Sequence, residues 1–287
     1  MVKTARNSSS SQREAPPKGS TFRALRNRNY QLFFGGQLIS LIGTWMQSVA
    51  QAWLVYRLTG SAVLLGTVGF CSQFPVFLAA PLGGAMADRH NRYRTVILTQ
   101  AISMVLAAIL AVLTLTHRIE IWHIFVLAAA LGVVNGFDIP ARQSFVVEMV
   151  GRENMTSAIG LNSSMFNGAR VVGPAVAGLP VASVGEGWCF AVNAVSYIAV
   201  LAGLMMMNVE SKPLPGSRDV SPLQHIKEGF LYVKRTRPIL ALLLLLGLVS
   251  LVGMPYAVLM PVFADQILHG GARGMGILMG ATGISTA

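Results

Sequence analysis

Residues Thr95–Thr116 read TVILTQAISMVLAAILAVLTLT, 22 consecutive positions without a charge. At about 1.5 Å per residue such a helix rises roughly 33 Å, enough for a hydrocarbon core of about 30 Å. Charge returns on both flanks, as Arg89, Arg92 and Arg94 before the run and Arg118 after it. In lipid a spanning backbone has to satisfy its own hydrogen bonds, which leaves helices or closed barrels. No part of the chain alternates polar and apolar residues with the period of a membrane strand, so the reading is helical.

Working outward, similar runs lie near 31–56, 62–87, 121–138, 157–183, 187–209 and 238–263, and an eighth begins near Gly274. Over the 287 residues only 11% are charged and 53% are hydrophobic, too little polar surface for a soluble chain. Lys3, Arg6, Arg13, Lys18, Arg23, Arg26, Arg28, Arg89, Arg92, Arg94, Arg142, Arg152, Lys212, Arg218, Lys227, Lys234, Arg235 and Arg237 all fall on one side of the alternating spans. Arg57, Arg118 and Arg273 fall on the other. The positive-inside rule puts the rich side, and the N-terminus with it, in the cytoplasm of a multi-pass inner-membrane protein. The net charge of +11 is spread over these connections, with no basic face or motif for nucleic acid. Cys71 and Cys189 lie inside apolar runs and are read as small buried side chains.

Four regions follow. Residues 1–20 are polar, low in complexity and expected to be a disordered cytoplasmic N-terminus without signal-peptide character. Residues 21–209 form a six-helix transmembrane bundle. Residues 210–237 are a cytoplasmic linker in which Ser221 and Pro222 start an amphipathic helix, with Leu223, Ile226, Phe230 and Val233 on one face. A spacer and a regulatory element both fit that helix. Residues 238–287 begin a second, incomplete bundle.

The turn after the second span reads Gly84-Ala85-Met86-Ala87-Asp88-Arg89-His90-Asn91-Arg92-Tyr93-Arg94. Glycine one turn before an acid suits close approach of another helix, and an acid in a basic turn suits ion pairs made in one conformation and broken in another. An incidental aspartate in a positive-inside loop fits the residues equally well. This stretch resembles the signature of the major facilitator superfamily, Gly-x-x-x-Asp-Arg-x-Gly-Arg-Arg, at Gly84, Asp88, Arg89 and Arg92. Asn91 stands in place of a glycine, a residue that also tolerates a left-handed backbone, and Tyr93 in place of a basic residue. The resemblance narrows to exporters related to enterobactin and macrolide efflux carriers. It rests on Phe22-Arg23-Ala24-Leu25-Arg26-Asn27-Arg28-Asn29-Tyr30, Ser40-Leu41-Ile42-Gly43-Thr44-Trp45-Met46-Gln47, Trp53-Leu54-Val55-Tyr56, Pro140-Ala141-Arg142-Gln143-Ser144 and Ala169-Arg170-Val171-Val172-Gly173-Pro174-Ala175. It implies an all-α polytopic bundle, the N-terminal six-helix half of such a carrier plus span seven and part of span eight. It also implies a cytoplasmic gate at the four matching positions, and efflux of a small amphipathic drug or siderophore type of molecule by proton antiport.

Other residues bear on that expectation directly. Gln37, Ser40, Thr44, Gln47 and Gln51 recur at steps of three and four on one face of span one. They form either a substrate-cavity wall, with Asn167 of span five, or hydrogen-bonded glue between helices. Arg170 is an intramembrane charge, and the small residues Gly168, Gly173 and Gly178 with Pro174 give span five close packing and a bend. Asp138 is read as ending span four and pairing with Arg142. Asp88 belongs to the gate and Asp265 lies beyond span seven, so none of the acids occupies a span centre. Each is read as a structural or gating charge ahead of a proton carrier. No cofactor, metal-ligand set or catalytic constellation is visible, so the chain is not read as an enzyme. The expected partners are the lipid bilayer, a small-molecule substrate and protons. Gly274–Ala287 gives about 21 Å of helix, which leads to the expectation of a C-terminally truncated carrier that is inactive alone. A non-transporting scaffold or sensor derived from a carrier is the alternative.

Overall fold

The computed structural model describes residues 20–208, 222–253 and 255–285. The expected disordered N-terminus and the first part of the linker, up to Ser221, lie outside them. A short 3-10 segment, Ser20–Arg26, leads into six long helices: α1 (Arg28–Thr59), α2 (Ala62–Arg89), α3 (Arg92–Leu115), α4 (Ile121–Val150), α5 (Met155–Ser183) and α6 (Glu186–Met205). Then come α7 (Pro222–Arg235), α8 (Arg237–Gly253), the short α9 (Pro255–Val258) and α10 (Met260–Val262), a π-helical turn at Phe263–Ile267, and α11 (Gly271–Ser285). No strand occurs among the described residues. Helices α1, α2, α3, α4 and α6 are long and apolar enough to cross a membrane. Helix α5 matches them in length but carries Asn162, Ser163, Ser164, Asn167 and Arg170.

The helix ends follow local chemistry. Gly60 closes α1 at φ 60°, where an L side chain would be strained, and Ser61 then accepts a hydrogen bond from the Leu64 amide to cap α2. Asn91 caps α3 by accepting from the Arg94 amide at 3.1 Å. Its φ is −67°, so the asparagine serves here as an N-cap, and the left-handed tolerance expected of it is not used.

Three boundaries differ from the sequence reading. Helix α4 does not stop at Asp138 but runs through Pro140 to Val150. Proline removes only one backbone bond, and neighbouring helices tolerate that loss in a membrane bundle. Helix α6 ends at Met205, ahead of the expected 209. The seventh run is interrupted at Leu259 and turns π-helical over Phe263–Ile267.

Helix α2 lies on α4, α1 on α6 and α5, and α3 on α4 and α6, while α11 packs on α5. Small residues allow the closest approaches, as expected where lipid gives no hydrophobic drive to associate. A Cβ on Gly83 would meet the Gly136 carbonyl and Phe137 of α4, and a Cβ on Gly173 would come within 2.5 Å of the Trp45 Cβ. Around Gly84 and Gly168 nothing lies within 4 Å, so the close-packing roles expected of them belong to Gly83 and Gly173. Gly178 does pack as expected, against Gly276 of α11. Cys189 is buried, but Cys71 is only partly so, against the expectation for both.

The core divides in two. One apolar cluster includes Tyr30, Phe33, Val96, Ala141, Phe145, Val200 and Leu204, near the end that holds the α2–α3 turn. The other includes Val49, Leu54, Leu110, Ile124, Ala128 and Phe190, toward the opposite end. Between these clusters α1, α3, α4 and α6 each contribute buried polar residues, among them Gln37, Gln100, Asp138 and Asn193.

Candidate functional site

The buried polar layer between the two cores is made of Gln37, Ser40 and Gln47 from α1, Thr99, Gln100 and Ser103 from α3, Asp138 from α4, and Asn193, Ser196 and Tyr197 from α6. Asp138 anchors it. One carboxylate oxygen accepts from Thr99 Oγ1 at 2.7 Å and Gln100 Nε2 at 2.9 Å, and the other faces Arg142 Nε at 3.3 Å. The side chain of Asp138 is 4% exposed. Charge-assisted bonds of this kind allow a carboxylate to remain ionised away from water. The Asp138–Arg142 pair expected from sequence is therefore present, but inside the helix and not at its end.

Tyr197 lies beside this cluster, with its hydroxyl in hydrogen-bonding reach of Thr44 and Ser103. Gln47 accepts from Asn193 Nδ2 at 2.7 Å, an amide pair tying α1 to α6. The α1 stripe is thus divided. Gln37, Ser40 and Gln47 are buried between helices, while Thr44 is exposed and Gln51 is partly exposed. Gln37 Nε2 and Gln100 Oε1 have no hydrogen-bond partner among the described residues. Leaving such a group buried and unmet costs about 1–3 kcal/mol.

The second charged centre is the α2–α3 turn. Arg92 lies between two acids, 3.5 Å from Asp88 and 3.5 Å from Glu148 of α4, and donates from Nε to the Ala87 carbonyl at 3.0 Å. Its side chain is 13% exposed and that of Asp88 is 60% exposed. Arg89 is partly exposed, and Gly84 contributes an uncovered face one turn earlier. Tyr93 donates to the Leu204 carbonyl at 2.8 Å, so the departure from a basic residue there anchors α3 to α6.

Arg170 lies near the middle of α5 with its guanidinium carbon 5.7 Å from the Trp45 ring centroid. Among the described residues it has no acidic partner. Asn167 donates to the Ser163 carbonyl one turn back, and Pro174 is buried beside Gly173. At the end away from the basic turn, Arg57 grips Glu186 with two bonds of 2.8 and 3.2 Å, and Tyr56 donates to Asp265 at 3.0 Å.

Glu148, Thr99, Gln100, Asn193 and Tyr197 were not singled out in the sequence. Glu148 follows the expected end of span four and so read as loop. The others are uncharged polar residues within apolar runs. For Thr99 and Gln100 the available signal was a pair of adjacent polar residues in the run 95–116.

A model of transmembrane secretion effectors matches residues 19–287. The staphyloferrin A transporter of Staphylococcus aureus is 30% identical over 250 residues, covering 86% of this chain and 62% of that protein. Macrolide efflux protein A of Streptococcus pyogenes is 24% identical over 245 residues, covering 84% of this chain and 60% of that protein. The enterobactin exporter of Shigella boydii is 23% identical over 237 residues, covering 83% and 56%. The chain thus spans about 60% of the length of the curated relatives it matches. No solved structure matches it significantly.

Proposed function

We propose that this chain, which belongs to the transmembrane secretion effector family of the major facilitator superfamily, acts in the efflux of a small amphipathic molecule, by proton antiport with alternating access. It is a carrier and not an enzyme, lying in the bacterial inner membrane with the α2–α3 turn facing the cytoplasm. The relatives named for siderophore transport and macrolide efflux support the cargo class.

The observation that carries the coupling mechanism is Asp138, a carboxylate in the interior of α4 held by two neutral donors and one arginine. Protonation would weaken its hold on Arg142 while leaving the oxygen that faces Thr99 and Gln100 hydrogen-bonded. A change of charge would then become a change in how α4 engages α3. In the same reading the Asp88–Arg92–Glu148 cluster is a gate at the cytoplasmic end. Arg92 bridges α2 and α4 through its two acids, so movement of either helix would exchange those contacts. Thr44, Gln51 and Asn167, the less buried members of the expected cavity wall, face the cargo path.

The test is accumulation of a panel of labelled amphipathic drugs and siderophores, anionic, neutral and cationic, in cells producing the full-length protein. Expression is expected to lower accumulation, a protonophore to restore it, and Asp138→Asn to abolish the difference. Export that persists in Asp138→Asn and remains protonophore-sensitive would remove Asp138 from the coupling.

A further inference from the structure

We infer that the α1–α5 wall around Arg170 is a recognition site for cargo that carries a negative charge beside a flat aromatic ring. The inference deepens the exporter reading and rests on it.

Helix α5 presents four arcs. Leu161, Met165, Ala169 and Gly173 are buried, and a Cβ on Gly173 would meet Ile42, Trp45 and Met46 of α1. Val171, Pro174, Ala175 and Gly178 meet α11. Val172, Val176 and Leu179 are 43%, 48% and 60% exposed and wholly apolar, as a lipid-facing arc should be. The remaining arc, between the α1 and α11 faces, carries Ile159, Ser163, Phe166 and Arg170 at steps of four, three and four. Phe166 is 46% exposed there.

An arginine at mid-helix is costly in hydrocarbon and ordinarily turns toward a partner or an aqueous cavity. Arg170 turns toward Trp45, which meets Phe166 edge-on with centroids 5.7 Å apart and planes at 72°. A cation–π contact orients the guanidinium but does not neutralise it. With no carboxylate beside it among the described residues, the fork of N–H donors is left for an anion, which it matches in planar, two-point fashion when the anion is a carboxylate. A neutral cargo would leave the charge uncompensated and a cationic cargo would be repelled. The half-exposed ring of Phe166, next to Trp45, supplies the flat apolar surface on which an aromatic part of the cargo stacks. This narrows the cargo from amphipathic in general to anionic and aromatic.

The site is tested by calorimetric titration of the purified full-length protein with three probes that share one ring: 1-naphthoate, 1-naphthalenemethanol and 1-naphthylmethylammonium. Wild type is expected to bind the anion at least tenfold more tightly than the alcohol, and the cation least. Arg170→Gln should bring anion and alcohol within twofold of each other, while Arg170→Lys keeps most of the preference. Phe166→Leu retains the charge and tests the ring, and should lower the preference for 1-naphthoate over acetate. It also decides the matter if Arg170→Gln does not fold. Equal affinities for the anion in wild type and Arg170→Gln, or no preference among the three probes, would overturn the site. Export of any of the labelled compounds that continues without such a preference would leave the exporter reading standing. Anion binding in a protein that exports nothing would sink that reading and spare the site.

Discussion

At the scale of single residues, Asp138 separates charge from hydrogen bonding. Both Asp138→Asn and Asp138→Ala take the acid from Arg142, but asparagine keeps an acceptor for Thr99 and Gln100. Alanine leaves the Gln100 amide unmet, while Thr99 retains the Val96 carbonyl. An unmet buried group costs about 1–3 kcal/mol, so Asp138→Ala should melt below Asp138→Asn in a thermal-shift assay, and equal melting of the two variants would contradict the geometry. The sequence reading found the pair Asp138–Arg142 but set it at a helix end, because spans were read as stopping at charges. What it could not supply was the far side of the site. Thr99, Gln100, Asn193 and Tyr197 lie in runs whose apolar character was their whole signal, and only packing brings them to one depth. Gln47 was legible as polar on a helical face. Its partner Asn193, 146 positions away, was not.

At the scale of elements, α2 and α4 lie so close that glycine is required on the contact and free beside it. Gly83→Val would drive a side chain into the Gly136 carbonyl and Phe137, backbone that cannot rotate away. Overpacking of this kind costs about 1–3 kcal/mol. Gly84→Val meets nothing within 4 Å among the described residues, and substitutions away from such contacts stay within about 0.5 kcal/mol. Melting curves of the two neighbours should therefore diverge, and a Gly84→Val variant melting as low as Gly83→Val would disprove the assignment of faces. The family signature directs attention to Gly84. Sequence spacing alone does not tell which of two adjacent glycines turns inward, because that depends on the rotation of α2 about its axis. A second effect belongs to α4. Its extension to Val150 lets Glu148 reach Arg92, so Glu148→Gln should weaken the bridge while sparing the Asp88 side of it. Cysteine-labelling rates at Arg94→Cys are expected to rise in Glu148→Gln as the start of α3 loosens.

At the scale of the whole molecule, the described contacts between the first six helices and α9–α11 include Tyr56 on Asp265, Gly178 on Gly276, and Ala175 on Gly280. Among the described residues, the half of α5 nearer the basic turn, from Ile159 to Phe166, makes no such contact with α9–α11. In the proposed alternating access, contacts between the two parts break and re-form, and the geometry offers a way to lock one of them. A Cβ on Gly280 would lie 3.4 Å from the Ala175 Cβ, close to the separation of about 3.5–4.5 Å found across disulfides. With Cys71 and Cys189 replaced by serine, Ala175→Cys with Gly280→Cys should form an intramolecular disulfide under mild oxidation, seen as a shift in gel mobility that dithiothreitol reverses. If the contact must open during transport, export by the full-length protein should fall on oxidation and recover on reduction, while either single cysteine variant is unaffected by both. Full export through the oxidised form would mean that α5 and α11 move as one body. The opening that releases cargo would then have to be sought elsewhere, with Tyr56–Asp265 the next contact to lock.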